Sequence, residues 1–167
     1  MSRKYLNDKY CVRCGRNTPT PYLKKNHDLL VDGRRGRLCV ADLGCGNGRN
    51  SIYAQQQGHF VYSVDMVNDY GKSTILGQQP LKVNDNQFDI ILCNYLLMFL
   101  NKKERKQLMG EIKRTAKDGC MVMVELYEAK DSFAKTKKDM LKMQKELFSD
   151  LGWEKIRYSQ DRFIAQK

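Results

Sequence analysis

Three stretches of the chain, residues 38–43, 88–94 and 120–126, are apolar at nearly every position rather than at every second one. That pattern predicts parallel strands with helices covering both faces. Residues 59–65 (HFVYSVD) read as a further strand, and 153–158 and 162–166 as a closing pair. The intervening stretches carry helical spacing. Residues 49–57 end at Gly58, a natural stop. Residues 101–117 open with Asn101 and place Glu104 three positions on, close to a capping box, with Leu108, Ile112 and Ala116 along one face. Residues 132–151 set Phe133, Met140, Leu141, Leu147, Phe148 and Leu151 on a core-facing stripe that stops at Gly152. Strands alternating with helices predict an α/β, doubly wound, Rossmann-like sheet. Ligands bind such sheets at the carboxyl ends of the strands, and Asp42, Asp65, Asn94 and Glu125 all fall at or beside predicted strand ends.

The stretch from Val40 to Asn50, VADLGCGNGRN, joins a strand, an acid, three glycines at alternate positions and a helix start. Gly44, Gly46 and Gly48 permit a sharp turn and a close ligand approach. The helix N-terminus beyond them favours an anion. A dinucleotide loop requires a third glycine where this chain has Arg49, and the Gly-Lys-Ser/Thr of a P-loop is absent. A carboxylate at Asp42 would repel a pyrophosphate but suits a ligand with a nearby cation and no phosphate, such as S-adenosylmethionine. Asp65, ending the next strand, stands where a ribose-binding acid belongs.

The same stretch resembles the first motif of class I S-adenosylmethionine-dependent methyltransferases. NQFDIILCN (86–94) resembles that family's fourth strand, and AKDG (116–119) its turn before the fifth. Within the superfamily the nearest likeness is the tellurite-resistance type, carried by KYLNDKY (4–10), GNGRNSIY (46–53), LLMFL (96–100) and WEKIRY (153–158). The basic stretch 1–37 reads as an arm or lid, and the resemblance implies a cofactor-binding methyltransferase domain over 38–167. It implies that Asp42 and the loop Gly44, Cys45, Gly46, Asn47 and Gly48 hold the methionine part, with Arg49 pairing its carboxylate. Asp65 would take the ribose, Met66 the adenine face, and Gln78 and Gln79 the adenine amino group. Asn94 and Tyr95 would face the transferred methyl, with Asn94 serving both cofactor and acceptor. Glu125 and Tyr127 join them as acceptor-side candidates, and Lys9 and Tyr10 would close over the cofactor. The segment between Asp65 and Gly77 is too short for the family's usual crossover helix and third strand, which predicts a compact variant. The tight connection 158–162 leaves out a longer family segment, which argues against a tellurite-type acceptor.

The net charge of +11 lies mainly in residues 1–37 and 101–117. Such surplus fits nucleic acid or another polyanion, and equally fits a solvated surface. Two readings therefore stand: an enzyme methylating a small molecule or an exposed macromolecular group, or a non-catalytic S-adenosylmethionine-binding module with a nucleic-acid-binding arm. Six cysteines, three of them within strand runs, read as reduced thiols of a cytoplasmic protein. Cys11-Val-Arg-Cys14 has zinc-knuckle spacing but no fourth ligand follows at finger spacing, so no metal is predicted. No apolar run reaches the roughly 18 residues of a membrane span, so no membrane association is expected.

Overall fold

The computed structural model describes residues 18–65, 80–130 and 132–167. The first helix, α1 (Pro21–Val31), lies in the part of the sequence grouped above with the basic arm. Thr20 caps it by accepting from the Leu23 N–H, and Pro21 occupies the first turn, where its missing N–H does no harm. Tyr22, Leu23, Asn26 and Leu30 form its buried face. The chain continues through β1 (Cys39–Leu43), α2 (Arg49–Gln56), β2 (Phe60–Val64), β3 (Phe88–Asn94) and a short 3₁₀ turn (Leu97–Phe99). It ends with α3 (Lys102–Thr115), β4 (Ala116–Glu125), α4 (Lys137–Leu151), β5 (Glu154–Tyr158) and β6 (Arg162–Gln166).

The strands lie in the order β2-β1-β3-β4-β6-β5. The first four are mutually parallel, and β6 runs antiparallel to both β4 and β5. This is the predicted Rossmann-like architecture, closed at one edge by a hairpin. Successive residues of each strand serve opposite faces. Val40, Ile90, Leu92, Met121, Met123 and Ile164 pack with Leu23, Leu30 and Ala54 of α1 and α2. Ala41, Ile91, Cys93, Val122, Val124 and Phe163 pack with Leu108 and Ile112 of α3 and Leu147 and Leu151 of α4. No helix among the described residues is long and apolar enough to cross a membrane. The described cysteines, Cys39, Cys45, Cys93 and Cys120, are free thiols.

Three expected boundaries move. The helix expected over 101–117 keeps its Asn101–Glu104 capping box but stops at Thr115, and the expected turn at 116–119 is instead the start of β4. Ala116 already pairs with Phe88, and a register shift before Ile90, with Gly119 at φ 75°, absorbs the irregularity. The helix expected from 132 begins at Lys137, because Thr136 and Asp139 form a capping box there. Phe133, expected on its core stripe, lies outside the helix and is 55% exposed.

Candidate active site

The glycine loop leaves β1 and is tied to the end of β2. The Val64 carbonyl accepts from the N–H groups of Gly44 (2.7 Å) and Cys45 (3.1 Å), and Asp65 Oδ2 accepts from the Gly46 N–H (2.7 Å). Gly44, Gly46 and Gly48 all have positive φ, which side-chain-bearing residues adopt only with strain. A Cβ at Gly44 would also stand 2.9 Å from Leu96 Cβ, so the loop is pressed against the segment that follows β3.

Asp42 is buried beneath the loop, only 1% exposed. The Ser51 hydroxyl donates to its Oδ2 (2.6 Å) and in turn accepts from the Ser63 hydroxyl (2.8 Å). The Ser51 backbone also bonds the Asp42 carboxylate. The acid therefore holds the first turn of α2 from below, where the helix dipole favours it. Burial nevertheless outweighs those bonds and pushes its carboxyl up to about 6.

On the other side of β3 a buried polar cluster forms. Asn94 and Glu125 face each other across the β3–β4 register. The Asn94 amide donates to Glu125 Oε2 (2.7 Å) and to Thr20 Oγ1 (3.1 Å). The Tyr95 hydroxyl donates to Glu125 Oε1 (3.1 Å), and the Thr20 hydroxyl also bonds that carboxylate. The Thr20 N–H donates to Asn50 Oδ1 (3.0 Å), which links the cluster to α2. Burial raises the Glu125 carboxyl. Burial, then the Glu125 charge, pushes the Tyr95 phenol up to about 12, so it stays protonated at neutral pH. Tyr95 has φ 59°, an uncommon conformation for a bulky residue, and such strain gathers at functional positions. Its ring meets the Arg49 guanidinium (5.8 Å to the centroid) and Tyr127 edge-on (5.4 Å). The Asn94 Oδ1 atom is buried and has no hydrogen-bond partner among the described residues.

The expected site residues thus separate into two sets. Gly44, Gly46, Asn47, Arg49, Asp65 and Tyr95 are partly exposed, while Asp42, Cys45, Gly48, Asn94 and Glu125 are buried under them. Lys9, Tyr10, Met66, Gln78 and Gln79 lie outside the described residues, as do Cys11 and Cys14 and most of the shortened crossover after Asp65. Among the described residues no cluster of His, Cys, Asp or Glu could hold a metal ion. Thr20 and Asn50 join the site without having been expected there. The dipeptide Thr20-Pro21 was the available signal, since a capping residue followed by proline marks a helix start.

The family profile described as "Methyltransferase domain" matches residues 41–124, which run from β1 through the glycine loop to β4. The chain belongs to this methyltransferase family. Its fold is shared by solved methyltransferase structures. One is a Burkholderia thailandensis 1,6-didemethyltoxoflavin-N1-methyltransferase, solved with 1,6-didemethyltoxoflavin and S-adenosylhomocysteine. It superposes with a TM-score of 0.69 at 16% identity over 99% of this chain and 86% of that one. A TehB-like S-adenosylmethionine-dependent methyltransferase from Corynebacterium glutamicum superposes at 0.63, with 18% identity over 98% and 97% of the two chains. In sequence, phosphoethanolamine N-methyltransferase 1 of Triticum aestivum is 33% identical over 101 residues, 51% of this methyltransferase chain. The match spans 20% of the length of that relative.

Proposed function

We propose that this chain binds S-adenosylmethionine across the glycine loop and transfers its methyl group to a small-molecule acceptor held over the ends of β3 and β4. One observation carries the fit. Asn94 Oδ1 is a buried acceptor with no donor among the described residues, beside a loop bounded by the Asp65 carboxylate and the Arg49 guanidinium. Two acceptors and one cation complement a ligand with an ammonium, ribose hydroxyls and a carboxylate. Asp65 would accept from the ribose and Arg49 would pair with the methionine carboxylate. When bound, the cofactor supplies a methyl group already activated by its sulfonium.

The protein's task is then proximity and alignment. Glu125 uses both carboxylate oxygens to fix the Asn94 amide and the Tyr95 hydroxyl, so we read it as an orienting group rather than a free base. Tyr95, protonated and pinned, offers its ring as a wall for the acceptor. Asp42 acts through Ser51 and the loop. The Triticum aestivum relative is by name an N-methyltransferase, which makes nitrogen the first acceptor atom to screen.

Calorimetric titration with S-adenosylmethionine tests the cofactor half of this reading, and absence of heat would sink it. Acceptor-dependent formation of S-adenosylhomocysteine, lost in Asp65→Ala, separates the enzyme from a binding module. Nucleic acid remains the alternative acceptor class, suggested by the exposed Lys102, Lys103, Lys106 and Lys113 of α3. Its binding would weaken steeply with salt.

A further inference from the structure

Beside the buried cluster, a cavity of about 370 Å³ opens between the first turn of α1 and the β5–β6 hairpin. Pro21, Tyr22, Lys25, Arg157, Ser159 and Arg162 line it. Because β5 is parallel to β4 and β6 antiparallel, Arg157 and Arg162 reach the same carboxyl end of the sheet as Asn94 and Glu125. Arg162 is paired with Glu125 in the strand register, with Nη1 4.0 Å from Glu125 Oε1, so the cavity adjoins the crevice.

Three cations meet there and only part of their charge is answered. Arg162 is held bidentately by Asp161, with both contacts at 2.8 Å, and its guanidinium covers the Tyr22 ring at 5.1 Å. Arg157 donates to the Asn26 side-chain carbonyl, a neutral partner. Neither Arg157 nor Lys25 has an ion pair among the described residues. Tyr22 is 8% exposed, yet its hydroxyl has no hydrogen-bond partner among the described residues. That hydroxyl also lies within the fields of Arg157 and Arg162. A buried donor without an acceptor is destabilising by itself and points to a ligand oxygen. The first turn of α1 lines the same space through Pro21 and Tyr22.

We propose that this cavity binds a phosphate-type oxyanion carried by the methyl acceptor, a small phosphomonoester anchored at Lys25, Arg157 and the Tyr22 hydroxyl. The inference rests on the methyltransferase reading only for the word acceptor; anion binding stands by itself. The anchor would hold the acceptor's far end at the hairpin and leave its other end over Tyr95 and Asn94. A cavity of this size suits a small molecule rather than a duplex.

Titration with inorganic phosphate and with methyl phosphate, followed by ³¹P and amide NMR, tests the idea. Both should bind with shifts in the amides of residues 22–25 and 157–162. Lys25→Gln and Arg157→Gln should each weaken binding about tenfold, the loss expected for one charge-assisted hydrogen bond. S-adenosylmethionine affinity, measured in parallel, should stay unchanged in both variants. Lys25 is exposed and has no ion pair among the described residues, so its variant separates lost binding from lost folding. Phosphate affinity unaltered in both folded variants would overturn the proposal while leaving the cofactor reading intact. A wild-type protein that binds phosphate but not S-adenosylmethionine would instead reject the methyltransferase reading alone. A single-stranded oligonucleotide that binds tighter than methyl phosphate, and depends on the same two residues, would overturn the small-molecule assignment in favour of a nucleic-acid backbone.

Discussion

On the β1 side of the crevice, the groups that matter are neighbours in the chain. Asp42 meets Ser51 nine positions away, and Asp65 meets Gly46 nineteen positions away. On the β4 side they come from everywhere: Thr20 and Asn94 are 74 positions apart, Asn94 and Glu125 are 31, and Asn26 and Arg157 are 131. The first region is held by backbone N–H groups and positive-φ glycines. The second is a side-chain network in which Glu125 serves Asn94, Tyr95 and Thr20, and Asn94 serves both Glu125 and Thr20. The first should respond to substitution one residue at a time, the second as a unit.

The largest effect should come from the network. Glu125→Ala strands the Asn94 amide and the Tyr95 and Thr20 hydroxyls, and should lower unfolding free energy by about 3 kcal/mol. Glu125→Gln should recover more than half of that loss in chemical denaturation. A loss below about 1 kcal/mol for the alanine variant would break the contrast between the regions. On the loop side, Asp65→Ala should weaken S-adenosylmethionine by about 100-fold in calorimetry, with only a modest fall in melting temperature.

The next effect concerns pH. Burial raises the Asp42 carboxyl to about 6 in the folded chain, above its ordinary 3.8. The folded state therefore keeps a proton that the unfolded chain has released. That stabilisation is complete below about pH 4 and is lost as pH rises through about 6. Asp42→Asn should flatten the melting-temperature profile over that window relative to wild type. Glu125, also raised by burial, adds a slope of the same sign. His59 opposes both: burial and the His27 charge lower it, so its contribution is lost as pH falls below about 6.5. The smallest effect is the coupling between Thr20→Val and Glu125→Gln, expected at about 1 kcal/mol in a double-mutant cycle. Thr20→Val combined with Ser51→Ala should be additive, because those hydroxyls belong to different regions.

The same contrast explains what could be read from the sequence. The strands at 38–43, 88–94 and 120–126 announced themselves because both faces are buried, and the glycine loop because its pattern is contiguous. Asp42 was legible as important but not as a group working through Ser51, since a one-dimensional pattern does not say which side of a loop an acid lies on. Helix α1 hid inside a basic stretch whose charge suggested an arm. Leu23, Leu30 and the ring of Tyr22 carry its buried apolar face, with Leu29 and Val31 packed at the edge. Arg162 lay at the start of an expected closing strand, and only the antiparallel pairing of β6 with β4 sets it opposite Glu125. Asn94 and Glu125 stood out by their strand-end positions and Tyr95 by the family resemblance, whereas Thr20, which bonds Asn94 and Glu125, comes from an element outside that logic.

Thr20 has a further consequence. Its hydroxyl accepts from the Leu23 N–H and from the Asn94 amide, and bonds Glu125 as well. The ends of helices usually fray first, exchanging their amide protons within milliseconds to seconds while the middle is protected. Here the first turn of α1 cannot loosen without releasing Asn94 and Glu125 from the end of the sheet. Its amides should therefore exchange as slowly as those of the central strands, and the opposite end, at Asp32, should open first. Deuterium uptake at Leu23 becomes a clock for the integrity of the polar cluster at the strand ends, read at a backbone position on a different element.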